Sequence, residues 1–275
     1  MLTSHHKMSE TSLSQTHPDI PRISILGVGV SPINMDIAVE HIERWIDSDA
    51  RQYVCIRDVN GIMESRRDER VHRAHRDAGL VTPDGMPIVW LLKLAGMPNV
   101  SRVYGPDLML RMFDESQHKG YKHFLYGSTN NVLNRLRESL QQEFPNVAIV
   151  GTYAPPPRAA GMIENDVIIE RINSSGADIV WVGLGTPKQE LWMADHRARL
   201  NAAALIGVGA AFDFHAGVIR QAPAFLQRLG LEWFFRMAME PRRLGKRYLR
   251  NVPEFLALLV VEKLRSAIRK NARKR

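Results

Sequence analysis

The strongest constraint in this sequence is a regular alternation of short apolar runs with longer segments of helical period. Runs of strand length stand at Arg22 to Val28, Tyr53 to Ile56, Lys122 to Tyr126, Ala148 to Gly151, Asp178 to Val182 and Ala203 to Val208. Among them lie segments whose apolar residues recur every three or four positions: Ile62 to Ala78, Pro87 to Leu94, Val132 to Glu143, Asp166 to Ile172 and Gln189 to Leu200. This β-α-β rhythm predicts an α/β fold, with a Rossmann-like, mainly parallel sheet flanked by helices. In such folds ligands bind beyond the carboxyl ends of the strands. The turns that follow the apolar runs are therefore where chemistry is sought.

Composition narrows the class. A chain of 275 residues, 45% hydrophobic and 24% charged, suits a soluble globular protein with a sizeable core. The single cysteine, Cys55, lies in an apolar run, excludes an internal disulfide framework and reads as a buried strand residue in a reducing cytoplasm. Residues 1–20 are polar, lack the apolar stretch of a secretory signal and are expected to form a disordered leader. No run approaches the 18 or so apolar residues of a membrane span. The net charge of +8 is uneven: from Gly217 onward fifteen Lys/Arg face four Asp/Glu. The expected organisation is a leader (1–20), a catalytic core (21–217) and a basic helical C-terminal appendage (218–275). Charge alone leaves nucleic acid, a phosphorylated substrate and an anionic bilayer open as partners of that appendage.

Three turns stand out. Thr82-Pro83-Asp84-Gly85-Met86-Pro87 follows a short apolar run and offers a carboxylate at the mouth of a sheet, although an Asp in such a turn commonly bonds only its own backbone. Gly183-Leu184-Gly185-Thr186-Pro187-Lys188-Gln189 reads as a capped helix start, with Thr186 as N-cap, Pro187 as first helical residue and Gln189 in a capping box. Its glycines, Gly185 among them, equally allow close approach of an anion. Tyr126-Gly127-Ser128-Thr129 repeats the arrangement, with Gly127 at the strand end and Ser128 or Thr129 as cap. Two such turns favour a nucleotide. Gly27-Val28-Gly29 is a poor match to the dinucleotide fingerprint, so no NAD and no other cofactor is expected.

No metal site is expected either. Asp47-Ser48-Asp49 has the Asp-x-Asp form of a metal-binding sugar-nucleotide motif, but it precedes a strand and reads as a helix-ending turn. The ten histidines are scattered. Without a metal, the charge of a departing diphosphate must be met by Arg, Lys and backbone amides. Arg236, Arg243 and Arg247 fall on one helical face if a helix runs through or resumes after Pro241. With Trp233, Phe235 and Tyr248 interleaved, that stripe is either a solvated face or a phosphate clamp.

Taken together, Pro83-Asp84-Gly85, Arg102-Val103-Tyr104-Gly105-Pro106-Asp107-Leu108, Gly185-Thr186-Pro187-Lys188-Gln189-Glu190, Gly207-Val208-Gly209-Ala210-Ala211-Phe212-Asp213 and Leu231-Glu232-Trp233 with Arg236 resemble the WecG/TagA/CpsF glycosyltransferases. The resemblance spans roughly Ile23 to Arg250. It implies an inverting, metal-independent enzyme that moves a sugar from a UDP-sugar donor onto a polyprenyl-diphosphate-linked sugar acceptor during surface-polymer synthesis. It further implies a peripheral protein at the cytoplasmic face of the plasma membrane. On this chain it makes Asp84 the general base. It places Asn60 and Gln189 in the pocket and gives Arg236, Arg243 and Arg247 the leaving group or the lipid diphosphate. Arg102 and Asp107 are either substrate contacts or a structural ion pair, and Asp213 joins the substrate-binding candidates. Where the family commonly shows Thr-x-Asn, this chain has Asp58-Val59-Asn60, so Asp58 either contacts sugar hydroxyls or takes part in acceptor chemistry. The donor sugar and homo-oligomerisation stay open.

The end of the chain, Val252 to Arg275, is expected to pack in part on the protein and to bring Arg269-Lys270 and Arg273-Lys274-Arg275 to an anionic leaflet. Two other readings compete: a nucleic-acid-binding protein, and a noncatalytic nucleotide-sugar-binding scaffold of a polysaccharide assembly complex. Neither has a use for Asp84, the transferase reading fits more of the chain, and no nucleic-acid partner is expected.

Overall fold

The computed structural model describes residues 20–156 and 163–272, with side chains as far as 265. The expected leader apart from Ile20, Pro157 of the proline-rich loop and the basic groups from Arg269 onward fall outside the residues or side chains described. Six strands form one all-parallel sheet in the order β4-β3-β8-β7-β5-β6. Their ranges are β3 Gln52–Arg57, β4 Leu80–Pro83, β5 Lys122–Gly127, β6 Ala148–Tyr153, β7 Ile179–Gly183 and β8 Ala204–Gly207. A separate antiparallel hairpin precedes it, β1 Ile23–Ile25 and β2 Val28–Val30.

Helices cover both faces: α1 Met35–Asp47, α5 Gly105–Lys119, α6 Asn130–Glu143 and α9 Ala211–His215 on one, and α2 Val59–Arg67, α3 Glu69–Arg76, α4 Met86–Leu94, α7 Asp166–Ser174 and α8 Lys188–His196 on the other. Strand alternation explains the two cores. Val54, Ile56, Leu125, Ile179 and Trp181 point into the first, and Tyr53, Cys55, Phe124, Val180 and Val182 into the second. Cys55 is thus a buried strand residue, as expected.

The appendage is helical: α10 Ala224–Arg228, α11 Glu232–Met239 and α12 Pro241–Ala272. It docks on α2 through polar bonds. Arg67 donates to Asn251 Oδ1 at 2.7 Å and to Glu254 at 2.5 Å, and Asn251 Nδ2 donates to Asn60 Oδ1 at 2.6 Å. Phe255 on the same helix inserts into the second core.

Five elements differ from the sequence reading. Arg22 to Val28 is not a strand of the main sheet; Leu26 (φ 51°) and Gly27 (φ 90°) turn the chain back on itself. Ile62 to Ala78 is two helices, because the Asp68 carboxylate accepts from Arg70 and Val71 N–H and starts a new one. The edge strand β4 is only four residues long and ends in a proline, which hides it among turn signals. Helices α1 and α5 were not among the segments singled out by apolar spacing. Asp47-Ser48-Asp49 does end a helix: Ser48 is the C-cap of α1, and β3 begins after it.

Candidate functional site

The carboxyl ends of the strands meet the amino ends of α2, α4, α5, α8 and α9, so the loops there are rich in backbone N–H groups and carry the positive ends of the helix dipoles. Two cavities open at this edge. The first is a polar cleft of about 1060 Å³, floored by the Gly183–Gln189 and Gly207–Ala211 turns and roofed by Arg236, Arg243 and Arg247. The second is a groove of about 810 Å³ with apolar walls from Met86, Pro87, Trp233, Val252, Phe255 and Leu256. Asp58, Asn60, Asp84 and Arg236 line both. They are the seam where the contents of the two cavities meet.

Asp84 follows β4 directly and is anchored by its backbone, its N–H donating to Arg57 O at 2.8 Å. Its side chain is 21% exposed. Burial pushes its carboxyl up to about 7; Arg102 opposes the rise, while Glu232 and Asp58 add to it. A carboxylate poised near neutrality at a cavity wall is suited to take a proton.

Asp58 is the N-cap of α2, its Oδ1 accepting from Gly61 N–H at 2.8 Å. A threonine at the same position would also be a capping residue, so the Asp58-Val59-Asn60 departure preserves the helix start while placing a second carboxyl on the seam. Asn60 is held by Asn251 from the appendage. Gln189 is buried and its Oε1 accepts from Gly185 N–H at 3.1 Å. The capping-box expectation is corrected here: Pro187 occupies the cap position without a side-chain bond, and Thr186 instead donates to Glu190 Oε1 at 3.3 Å. Room for the Gln189 amide comes from glycine. A Cβ on Gly207 would stand 3.0 Å from its Nε2, and one on Gly209 3.3 Å from its Oε1.

The three appendage arginines differ. Arg243 is engaged by Glu240 at 2.5 and 2.7 Å. Arg236 and Arg247 each keep a buried Nε–H without a protein acceptor. Buried charged donors left open in a polar cleft are what an anionic ligand would satisfy. Asp213 also lines the cleft, and burial raises its carboxyl. Gly185 lines it too, with φ 76°.

Two candidates stand elsewhere. Asp107 lies exposed in the first turn of α5 and lines neither cavity, and Arg102 pairs with Asp84 and Glu232 instead of with it. Gly127 (φ 124°) touches its neighbouring strand, where a Cβ would fall 2.7 Å from the Gly183 carbonyl. It allows the strands to close, and Ser128 after it reaches the cleft.

Sequence reasoning gave no role to Glu232, Arg57 or Glu190. Glu232 accepts from Arg102 and from the Tyr104 hydroxyl, the latter at 2.9 Å. One of four acids in a segment with fifteen bases, it carries a signal of pairing that spacing alone did not expose. Arg57 and Glu190 form a wholly buried ion pair beneath the cleft.

Comparison with known proteins agrees with this geometry. The family model described as "Glycosyl transferase WecG/TagA/CpsF family" matches residues 23–269. A protein of Bacillus spizizenii named N-acetylglucosaminyldiphosphoundecaprenol N-acetyl-beta-D-mannosaminyltransferase is 28% identical over 231 residues, which is 83% of this chain and 87% of that protein. A protein of Staphylococcus aureus strain MW2 with the same name is 27% identical over 239 residues, or 86% of this chain and 91% of that protein. The match runs through the sheet, the seam and the appendage alike, and the chain belongs to the WecG/TagA/CpsF family of glycosyltransferases.

Proposed function

We propose that this chain moves an N-acetylhexosamine or hexose from a UDP-sugar onto a polyprenyl-diphosphate-linked sugar, with inversion at the anomeric carbon. The observation that carries the reading is Asp84 on the wall shared by a polar and an apolar cavity. The donor diphosphate lies in the polar cleft against the Gly185 turn, Arg236 and Arg247, and the first isoprenoid units of the acceptor lie against Trp233, Val252 and Leu256. The acceptor hydroxyl attacks the anomeric carbon from the face opposite the diphosphate. Its proton passes to the Asp84 carboxylate, the bond from the anomeric carbon to the diphosphate oxygen breaks, and UDP departs with that electron pair. Arginines and backbone amides meet the charge that develops on UDP. The relatives' name supports N-acetylmannosamine as the first donor sugar to try and a diphospholipid-linked N-acetylglucosamine as the first acceptor.

The same reading places the protein peripherally at the inner face of the plasma membrane. Among the described residues no helix is long and apolar enough to cross a membrane. Leu249, Leu256, Val260 and Leu264 are nonetheless exposed along α12. An apolar stripe in a basic segment supports association with an anionic leaflet. Flotation with anionic liposomes at low salt, lost at high salt, is the expected behaviour; no flotation at any salt would refute it.

The deciding assay is UDP release from a panel of UDP-sugars, with and without a polyprenyl-diphosphate-sugar acceptor, in EDTA. Release that requires one donor and the acceptor and survives EDTA is expected. No release from folded protein with any donor would favour a noncatalytic sugar-nucleotide scaffold.

A further inference from the structure

We infer that Glu232 is a positioning residue for the base: by holding Arg102, it leaves one carboxylate oxygen of Asp84 open to the acceptor hydroxyl. The inference rests on the transferase reading above. A guanidinium beside a carboxylate ordinarily closes into a two-point pair that uses both oxygens. Here it does not. Arg102 Nε and Nη2 both address the same oxygen, Asp84 Oδ1, at 3.3 Å each, while Nε makes its short bond, 2.7 Å, to the Asp84 carbonyl. The rest of the guanidinium is engaged by the appendage. Nη2 donates to Glu232 Oε2, and Nη1 donates to Gln227 Oε1 at 3.0 Å. Glu232 is itself fixed, since its Oε1 accepts from the Tyr104 hydroxyl at 2.9 Å. Oδ2 of Asp84 accepts nothing from Arg102.

The charged and titratable groups around Asp84 are Arg102 and Tyr104 ahead of α5, Asp58 at the cap of α2, and Glu232 with Arg236 on α11. One arginine is thus divided between two carboxylates. Without the Glu232 charge, Arg102 is free to swing fully onto Asp84, which would occupy the proton-accepting oxygen and hold the carboxyl in its ionised, weakly basic form. Because Glu232 arrives on α11, the base acquires its working environment only when the appendage is seated on the sheet. No residue of the parallel sheet supplies that second carboxylate.

The test uses full-length protein with Glu232→Gln, which keeps the side-chain shape and removes the charge. The acid limb of the kcat profile should move about one pH unit lower. Plateau kcat should fall roughly threefold, as for a base made about tenfold weaker with half of that change expressed in rate, and KM for the donor should not move. A loss of equal size at every pH, with the limb in its wild-type place, would overturn the inference. A second measurement does not depend on the variant folding: a carbon-13 titration of the side-chain carboxyls of the wild-type protein, with Asp84→Asn assigning the signal. A midpoint for Asp84 of about 7 is expected. A midpoint below about 5 would show that Arg102 already claims the base and would equally overturn it. If Asp84→Asn left turnover unchanged, the transferase mechanism itself would fall, and the titration would still judge the Arg102 partition.

Discussion

Replacing Glu190 with alanine should destabilise the protein severely, because Glu190 is the carboxylate in direct ion-pair contact with a wholly buried arginine, Arg57. Arg57 and Glu190 are both wholly buried and pair with each other, while Arg57 Nε and Nη1 and Glu190 Oε2 have no further partners. Arginine cannot shed its charge at working pH, so Glu190→Ala leaves a buried guanidinium uncompensated. Breaking such a pair costs about 3–5 kcal/mol. Loss of the Thr186 bond adds about 0.5–1.5 kcal/mol. Against a total on the order of 5–15 kcal/mol, that is a large share. Urea unfolding at pH 7.5 should show the midpoint lowered by more than about 1 M at unchanged slope, for a slope of about 1–3 kcal/mol per molar. The double replacement Arg57→Met with Glu190→Leu should recover most of the loss, since both charges then leave the interior. A single-variant loss under about 1 kcal/mol would refute the reasoning, as would a double variant no better than the single one; the latter would assign the cost to packing.

Asp84→Asn should lower turnover at least tenfold, the small end of what a positioned base supplies, while leaving UDP affinity intact by calorimetry. The same variant should melt higher than wild type at pH 8. The native carboxyl is raised to about 7, so native protein binds the proton more tightly than unfolded chain, and the stability it lends is lost as pH rises through that value. The gap should narrow as pH falls below 7, and a wild type that melts higher at pH 8 would contradict the shift. Arg236→Ala and Arg247→Ala should each weaken UDP binding about tenfold or more, the worth of one hydrogen bond to a charged group, with a shallower salt dependence. Acid should unfold the protein early. Burial holds His75 down at about 2 and His123 at about 3, so the unfolded chain takes up protons below about pH 6.5 that the native state refuses. Each such group should cost about 1.4 kcal/mol per pH unit, and His123→Phe should flatten the stability profile between pH 6 and 4.

The parallel sheet was legible because apolar runs and helical segments are local signals. The glycine turns placed the polar cleft for the same reason, since each marks a strand end. What escaped the sequence was pairing at a distance. Arg102 with Glu232 spans 130 positions and Arg57 with Glu190 spans 133, and no periodicity links such partners. The hairpin at Leu26-Gly27 was missed because one left-handed non-glycine residue carries no sequence mark. Asp107 stands apart from the rest of its motif: its neighbours Tyr104, Gly105 and Pro106 reach the cleft, and the helix that begins there turns the Asp107 side chain outward. The second cavity was invisible, because its walls come from α4, α11 and α12, which meet only after the appendage folds back.

That fold-back gives the appendage a role in both cavities at once. The same stretch of chain sends Arg236, Arg243 and Arg247 into the polar cleft and Trp233, Val252 and Leu256 into the apolar groove, and Glu232 to Arg102 beside Asp84 between them. Its attachment runs through Asn251, which bonds Asn60 on the seam and is itself held by Arg67. A disturbance of that docking therefore reaches both cavities together. For the proposed reaction, which joins a water-soluble nucleotide sugar to a lipid-borne hydroxyl, this linkage would have a chemical use. Water would compete as a nucleophile in that transfer, and seating the appendage completes the surroundings of Asp84 and the apolar groove in one step.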